Sequence, residues 1–353
     1  MAYSTISKPS LHFTSLLRTG TYGNGQTTTD FATLGFTPDW SWMKPRNTAG
    51  SHDQADIVRG AGQMLKTDST AMQTAGGAVT SFITNGIRVT TNNDWGSNIN
   101  IVHHFWKLGG AASSNSDGSV TANVSANQSS GVSIASFTGT ESAITVGHGL
   151  GVAPSVFIIR RYTDDGYSST SEWYFYHKSL ASNKYLTLQS SAATGTNDGS
   201  LWNTSTPVTD SVINIGNNAN SNHSGTSVLL YSFAEKKGFS KFGSYIGNGN
   251  ADGPFIYTGF KPAFLITKNT SSVNNWTMCD NKRSTFNPNN TVLNPNVNSA
   301  EATNNPQDFL SNGFKIRGTE GNTNTSGNTY IYMAFAEEPL VANVGQSIPA
   351  TAK

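Results

Sequence analysis

The sequence predicts an all-β fold: three tandem β-sandwich units of jelly-roll-like topology, produced by an internal triplication. Three observations carry that expectation. Charged residues make up 12% of the chain, and Ser, Thr, Asn and 35 Gly supply the polarity instead; ordinary globular domains carry roughly twice that charge. Apolar residues alternate over short runs broken by Asn/Gly/Ser turns, the pattern of half-buried strands. One landmark, Gly-x-x-Pro, recurs with matched neighbours at three places along the 353 residues.

The landmark glycines are Gly35, Gly151 and Gly259, followed by Pro38, Pro154 and Pro262. Nine residues after each glycine stands a cation: Lys44, Arg160 or Lys268. Twenty-one residues after the first and third stand Asp56 and Asp280, with Arg59 and Arg283 three residues further on. The middle copy drifts: Trp173 lies four before His177, as Trp276 lies four before Asp280. Self-similarity at a fixed spacing indicates a repeated building block, and about 100 residues of short strands is the size of one sandwich.

Taken in order, residues 1–19 are expected to form an N-terminal attachment arm. Unit 1 covers 20–110. It opens on Gly-Asn-Gly at 23–25, an echo of 247–249, where Gly and Asn supply positive φ for tight turns. A phosphate loop would need a following helix and Lys-Ser/Thr, which are missing here. After Pro38, Trp40 and Trp42 mark one strand face, and "INIVHHFWK" closes the unit. His103 and His104 are adjacent on that strand, so they point to opposite faces. Residues 111–132 are small and polar, a linker or an irregular strand. Unit 2 covers 133–238, with Val156 and Ile158 alternating and "TSVLLYSFAE" closing it. Unit 3 covers 239–340, with Phe264 and Ile266 alternating, a stretch of helix expected near "SAEATNNPQDFLSNG", and "NTYIYMAFAE" closing it. Residues 341–353 form a tail too short to fold alone.

The pairs Lys44/Asp56 and Lys268/Asp280 are read as cross-strand ion pairs. Copy two places Arg160 and His177 there, a swap that fits packing better than acid–base catalysis. The loop "RRYTDDGYSSTSEW", 160–173, is the most distinctive surface candidate. Tyr162, Tyr167 and Trp173 would stack on a sugar, while Asp164 and Asp165 would hydrogen-bond it or offer oxygens to calcium. The plainer reading of this loop is a solvated connector. Cys279 is the single cysteine, so no intrachain disulfide or Cys/His zinc spacing exists, and it reads as a small, partly buried apolar residue. No Gly-x-Ser-x-Gly elbow or His-Glu-x-x-His is present, and no catalytic residue, metal site or cofactor is expected. A net charge of +1 without a Lys/Arg run gives nucleic acid no electrostatic footing. No apolar run approaches eighteen residues, so no membrane insertion is expected. The N-terminus lacks a basic region followed by an apolar core, so cytoplasmic synthesis without a signal peptide is expected.

The stretches "FTPDWSWMKPR", "TVGHGLGVAP", "GFSKFGSYIGNGNADGPFIYTGFKPAF", "DFLSNGFKIRG" and "YIYMAFAEEPL" together resemble an uncharacterised domain family of tailed-phage genomes, common in phages of marine bacteria. The resemblance spans nearly the whole chain and implies a non-enzymatic virion protein, a tail fibre or tail-associated adhesin contacting the host surface. A capsid decoration protein and a polysaccharide-degrading tailspike are the alternatives. The implied partners are other virion proteins, a homo-oligomer (a trimer, by class) and a host glycan or protein. The family supplies no established catalytic residues.

Overall fold

A computed structural model describes residues 6–338 except Asn24, Asn92, Asp165 and Tyr167, together with the strands Val341–Asn343 and Ile348–Pro349. The described chain is almost entirely antiparallel β, with one 3-10 turn and one four-residue helix, Ala219–Asn222. Six of its sheets form three pairs, an inner and an outer sheet in each unit.

The inner sheets share one strand order. An opening strand pairs with the closing strand, which pairs with a central strand, which pairs with its hairpin partner. In unit 1 these are Phe13–Thr19, Asn100–Trp106, Trp40–Pro45 and Asp53–Asp56. In unit 2 they are Val132–Thr138, Ser227–Phe233, Val156–Arg161 and Tyr174–His177. In unit 3 they are Ser240–Ile246, Thr329–Phe335, Phe264–Asn269 and Thr277–Asp280.

Period-two alternation then assigns every face. Alternate residues of each closing strand, such as Phe105, Leu230 and Ala334, face that unit's own outer sheet and fill three separate cores. Residues on the opposite strand face, such as Trp106, Phe233 and Phe335, point inward, where all three inner sheets meet in one apolar cluster. Aromatic rings bridge every pair of units there: Trp40–Phe233 at 5.9 Å, Phe233–Phe335 at 6.3 Å and Phe13–Phe335 at 5.7 Å between centroids. The units are therefore walls of a common core.

Backbone hydrogen bonds fasten the walls together at matched positions. Between units 3 and 2, the Asn274 amide donates to the Ser191 carbonyl (2.9 Å) and the Thr194 amide to Thr270 (3.2 Å). Between units 2 and 1, Ser171 donates to Thr70 (2.8 Å) and Gln73 to Tyr162 (3.0 Å). Between units 1 and 3, Gly50 donates to Asn298 (2.8 Å) and Glu301 to Arg46 (2.8 Å). The last pair closes the ring.

Several expectations are corrected. The attachment arm over 1–19 supplies the strand Phe13–Thr19, whose Phe13 is fully buried between units 1 and 3. Of the two readings of 111–132, only the linker gives way: the segment contains the strands Ser113–Asn115 and Ala122–Asn127, which extend unit 2's inner sheet. The helix expected near residue 300 is the strand Ala302–Leu310, since Pro306 would break a helix interior. The Gly-Asn-Gly echo is out of register. Gly20, Gly139 and Gly247 each follow an opening strand, and a side chain there would strike the carbonyl oxygen of Trp95, His223 or Thr325 at 2.0, 2.2 or 2.3 Å. The partner of Gly247 is thus Gly20, not Gly23, because the unit 1 loop is three residues longer.

Unit 2 differs from its neighbours on one side. Ala122–Asn127 pairs along its opening strand, Val120 bridges Val146 of the outer sheet, and the Ser119 amide donates to Thr145 Oγ1 (2.7 Å). The segment 113–127 so forms a clip across the side of that sandwich. In units 1 and 3 the opening strand is the last strand of its inner sheet among the described residues.

Candidate functional site

The three repeated cations end in the seams between units. The central strand carries each of them into a fully buried position. Lys268 Nζ donates to the carbonyls of Asn269 (2.8 Å), Asn274 (2.9 Å) and, across the seam, Ser191 (3.1 Å). Arg160 donates across its seam to the carbonyls of Ser69 (2.7 Å) and Ala71, and its guanidinium lies 4.7 Å over the Trp173 ring. Lys44 Nζ donates to the Pro45 carbonyl (2.8 Å) and feels Asp68, Asp53 and the unit 3 residues Arg283 and Glu301. Burial pulls Lys44 and Lys268 down to about 8. Loss of water favours the neutral amine, and backbone carbonyls replace only part of that solvation.

The expected pairs Lys44/Asp56 and Lys268/Asp280 do not form. Asp56 sits opposite Trp40 and Asp280 opposite Phe264, four residues and about 13 Å along the strand from each lysine. Each aspartate instead binds the arginine three residues on. Arg59 Nε donates to Asp56 (2.6 Å), and Arg283 Nε donates to Asp280. The same carboxylates accept the arginines' own amides, and each arginine also reaches a backbone carbonyl, Gln54 or Met278 at 3.0 Å. These closed motifs face the next unit's closing strand. Asp56 and Arg59 lie near Tyr231, and Asp280 lies 3.9 Å from His104 Nε2. In unit 2, His177 takes the place of the aspartate, accepts from the Ser179 amide (3.0 Å) and meets the Tyr332 carbonyl at 3.2 Å.

The sugar-stacking reading of loop 160–173 fails at Trp173. That ring is buried in the shared core, and its Nε1 donates to the carbonyls of Lys66 (2.9 Å) and Ser69 (3.2 Å) across the seam. Trp276 does the same to Thr187 (3.1 Å). The signal was present in the sequence as the shared four-residue spacing to His177 and Asp280. Tyr162 is half-buried, with its hydroxyl 2.8 Å from Ser136 Oγ. Asp164 is exposed and accepts from the Gly166 amide (2.9 Å) within its own turn. Asp165 and Tyr167 lie outside the described residues. Among the described residues no group of three His, Cys, Asp or Glu side chains is placed to hold a metal ion.

An open groove of about 670 Å³ lies where units 1 and 2 join, lined by His12, Asp39, Lys107, Asn127 and Gln128 among others. Its polar groups are engaged locally. Asp39 accepts from the Leu108 and Gly110 amides (2.7 and 3.3 Å), and Asn127 Nδ2 lies 3.2 Å from His12 Nδ1. Burial raises the Asp39 carboxyl and lowers His12. Cys279 is fully buried and its thiol is pushed up to about 12 by burial, so it stays protonated.

No curated protein is detectably similar in sequence. One family profile matches residues 8–339, from before the first opening strand to just past the last closing strand. The chain belongs to the family described as a domain of unknown function, DUF7483.

Proposed function

We propose that the chain is a non-enzymatic structural protein of a phage particle, acting as a tail fibre or tail-associated adhesin. One observation carries the structural half of this reading. Strongly shifted ionisable groups mark catalytic clefts when they line an open pocket. Here Lys44, Lys268, Arg160, His104 and His177 are buried in the seams, committed to carbonyls, rings or neighbouring units. Their chemistry is spent on holding three sandwiches together. The sequence resemblance to tailed-phage proteins supports the placement in a virion.

We also read the three units as an internal triplication. The equal spacing of the seam bonds supports this: each pairs a residue two after the repeated cation with one three residues beyond the partner's acceptor. A closed, rigid body of this kind suits a particle-bound head that meets a host glycan or protein.

Immunogold labelling of intact particles with antibody to this chain tests the assignment. Label at the tail is expected, and purified protein should then compete with adsorption. Label over the head would make the chain a decoration protein, and absence from particles would end the virion reading.

A further inference from the structure

Three residues of the unit 2 clip strand, Ala-Asn-Val at 122–124, recur at 342–344. The clip reads Val120-Thr121-Ala122-Asn123-Val124, and the C-terminal tail reads Leu340-Val341-Ala342-Asn343-Val344. Each stretch contains a strand with a hairpin partner: Ala122–Asn127 pairs with Ser113–Asn115 on one side and with the opening strand on the other, and Val341–Asn343 pairs with Ile348–Pro349. The clip seals unit 2 by placing Ala122 and Val124 in that unit's outer core. The corresponding side of unit 3 has no such cover among the described residues. Its two edge strands, Ser240–Ile246 and Phe255–Tyr257, leave Ile246 64%, Phe255 46% and Tyr257 65% exposed. Bare edges flanked by apolar side chains are acceptors for an added strand.

We propose that the tail strand of a second copy of this chain seats on this edge of unit 3. The register follows from the clip. Asn123 faces Ser136 and Val124 faces Ala135, and the matching places on unit 3 are Ser244 and Gly243. The tail then sets Asn343 against Ser244 and Ala342 against Tyr245, which lines the unit 3 outer core.

The donor is another molecule because the chain's own tail falls short. The Ala336 amide donates to the Phe239 carbonyl (2.7 Å), so the chain leaves its closing strand at the start of Ser240–Ile246. An antiparallel strand must enter at the Ile246 end, about 20 Å away. Residues 337–340 span at most about 14 Å. The same shortfall bars unit 1, whose Thr14 hydroxyl donates to Glu337 Oε1 (2.5 Å) at the start of its opening strand. Donor and acceptor are different surfaces, so the contact is head-to-tail and propagates unless it closes into a ring. The inference stands independently of the virion assignment.

Full-length variants test it by sedimentation velocity. Ala342→Pro disables the donor, since proline cannot serve inside a ladder. Ile246→Arg disables the acceptor at an already exposed position. Wild type is expected to gain mass over about a hundredfold range in concentration, and each variant alone to remain monomeric. Mixing the two variants leaves one live donor and one live acceptor, so a 1:1 dimer and nothing larger is expected. A wild type that stays monomeric overturns the proposal, as does association that survives Ala342→Pro. Association lost in Ala342→Pro but kept in Ile246→Arg overturns the assignment of unit 3 as acceptor.

Discussion

Phe13→Ala separates one closed body from three independent sandwiches. Phe13 is fully buried on the first strand of the chain, with Trp106 of its own unit at 5.0 Å and Phe264 and Phe335 of unit 3 at 5.5 and 5.7 Å. Truncating a buried phenylalanine costs about 4 kcal/mol through lost transfer energy and the cavity left behind. If all 353 residues unfold together, the unfolding entropy is about 0.7 kcal/mol/K, and the single transition drops by about 5 °C. If the units melt separately, the entropy of one unit is about a third as large, and one of several transitions drops by about 15–20 °C. Differential scanning calorimetry of wild type and variant reads the difference. A large fall confined to one transition, with the others unmoved, would refute the shared core.

Three further outcomes follow from the seams. Trp276→Phe keeps the ring but leaves the Thr187 carbonyl without its indole donor, and should cost about 1–2 kcal/mol in urea unfolding. Lys268→Met removes three hydrogen bonds from a charged donor; a loss of about 2–3 kcal/mol is expected because buried carbonyls are left unpaired, and a neutral result would mean the amine contributes nothing to the seam. Acid should weaken the fold. Burial pulls His177 to about 4 and His104 to about 3, against about 6.5 when unfolded. Between those values the unfolded chain binds protons that the folded chain does not, so stability is full above about pH 6.5 and is lost as pH falls. His177 alone accounts for about 3 kcal/mol of this. Asp53, pushed up to about 7 by burial, works in the opposite sense over the same range, but His177 and His104 together outweigh it, and His52 and His103, also held well below their usual range by burial, act in the same sense as those two. Urea midpoints at pH 7.5, 6 and 5 should therefore fall; a flat or rising series contradicts the buried neutral histidines.

Much of this architecture was legible as spacing. Alternation around Trp40, Val156 and Phe264 gave the strands, and the opposed faces of His103 and His104 followed from period two alone: His103 meets Ser41 and Arg18, while His104 meets Ser15 and Asp280. The nine-residue offset to Lys44, Arg160 and Lys268 located the seams without revealing them as such. What these residues touch is set by a neighbouring unit far away in sequence, 77 positions for Lys268 and Ser191 and 91 for Arg160 and Ser69, and local pattern holds no record of that partner. The same limit explains Trp173. Its loop is polar and reads as surface, yet the indole is drawn under it by carbonyls of unit 1. Phe13 was hidden for a different reason: the expected repeat began at a glycine echo that a three-residue loop difference had shifted, leaving the first strand outside unit 1.

Small-angle X-ray scattering of the Ile246→Arg variant, chosen to suppress association, tests the central claim most directly. A single body of 353 residues should have a radius of gyration of about 20 Å. Three sandwiches strung end to end would give roughly 31 Å, from the same size relation applied to each bead. The smaller value, with a distance distribution that has one maximum, is predicted by the ring of seams around a common aromatic core. The larger value would contradict it.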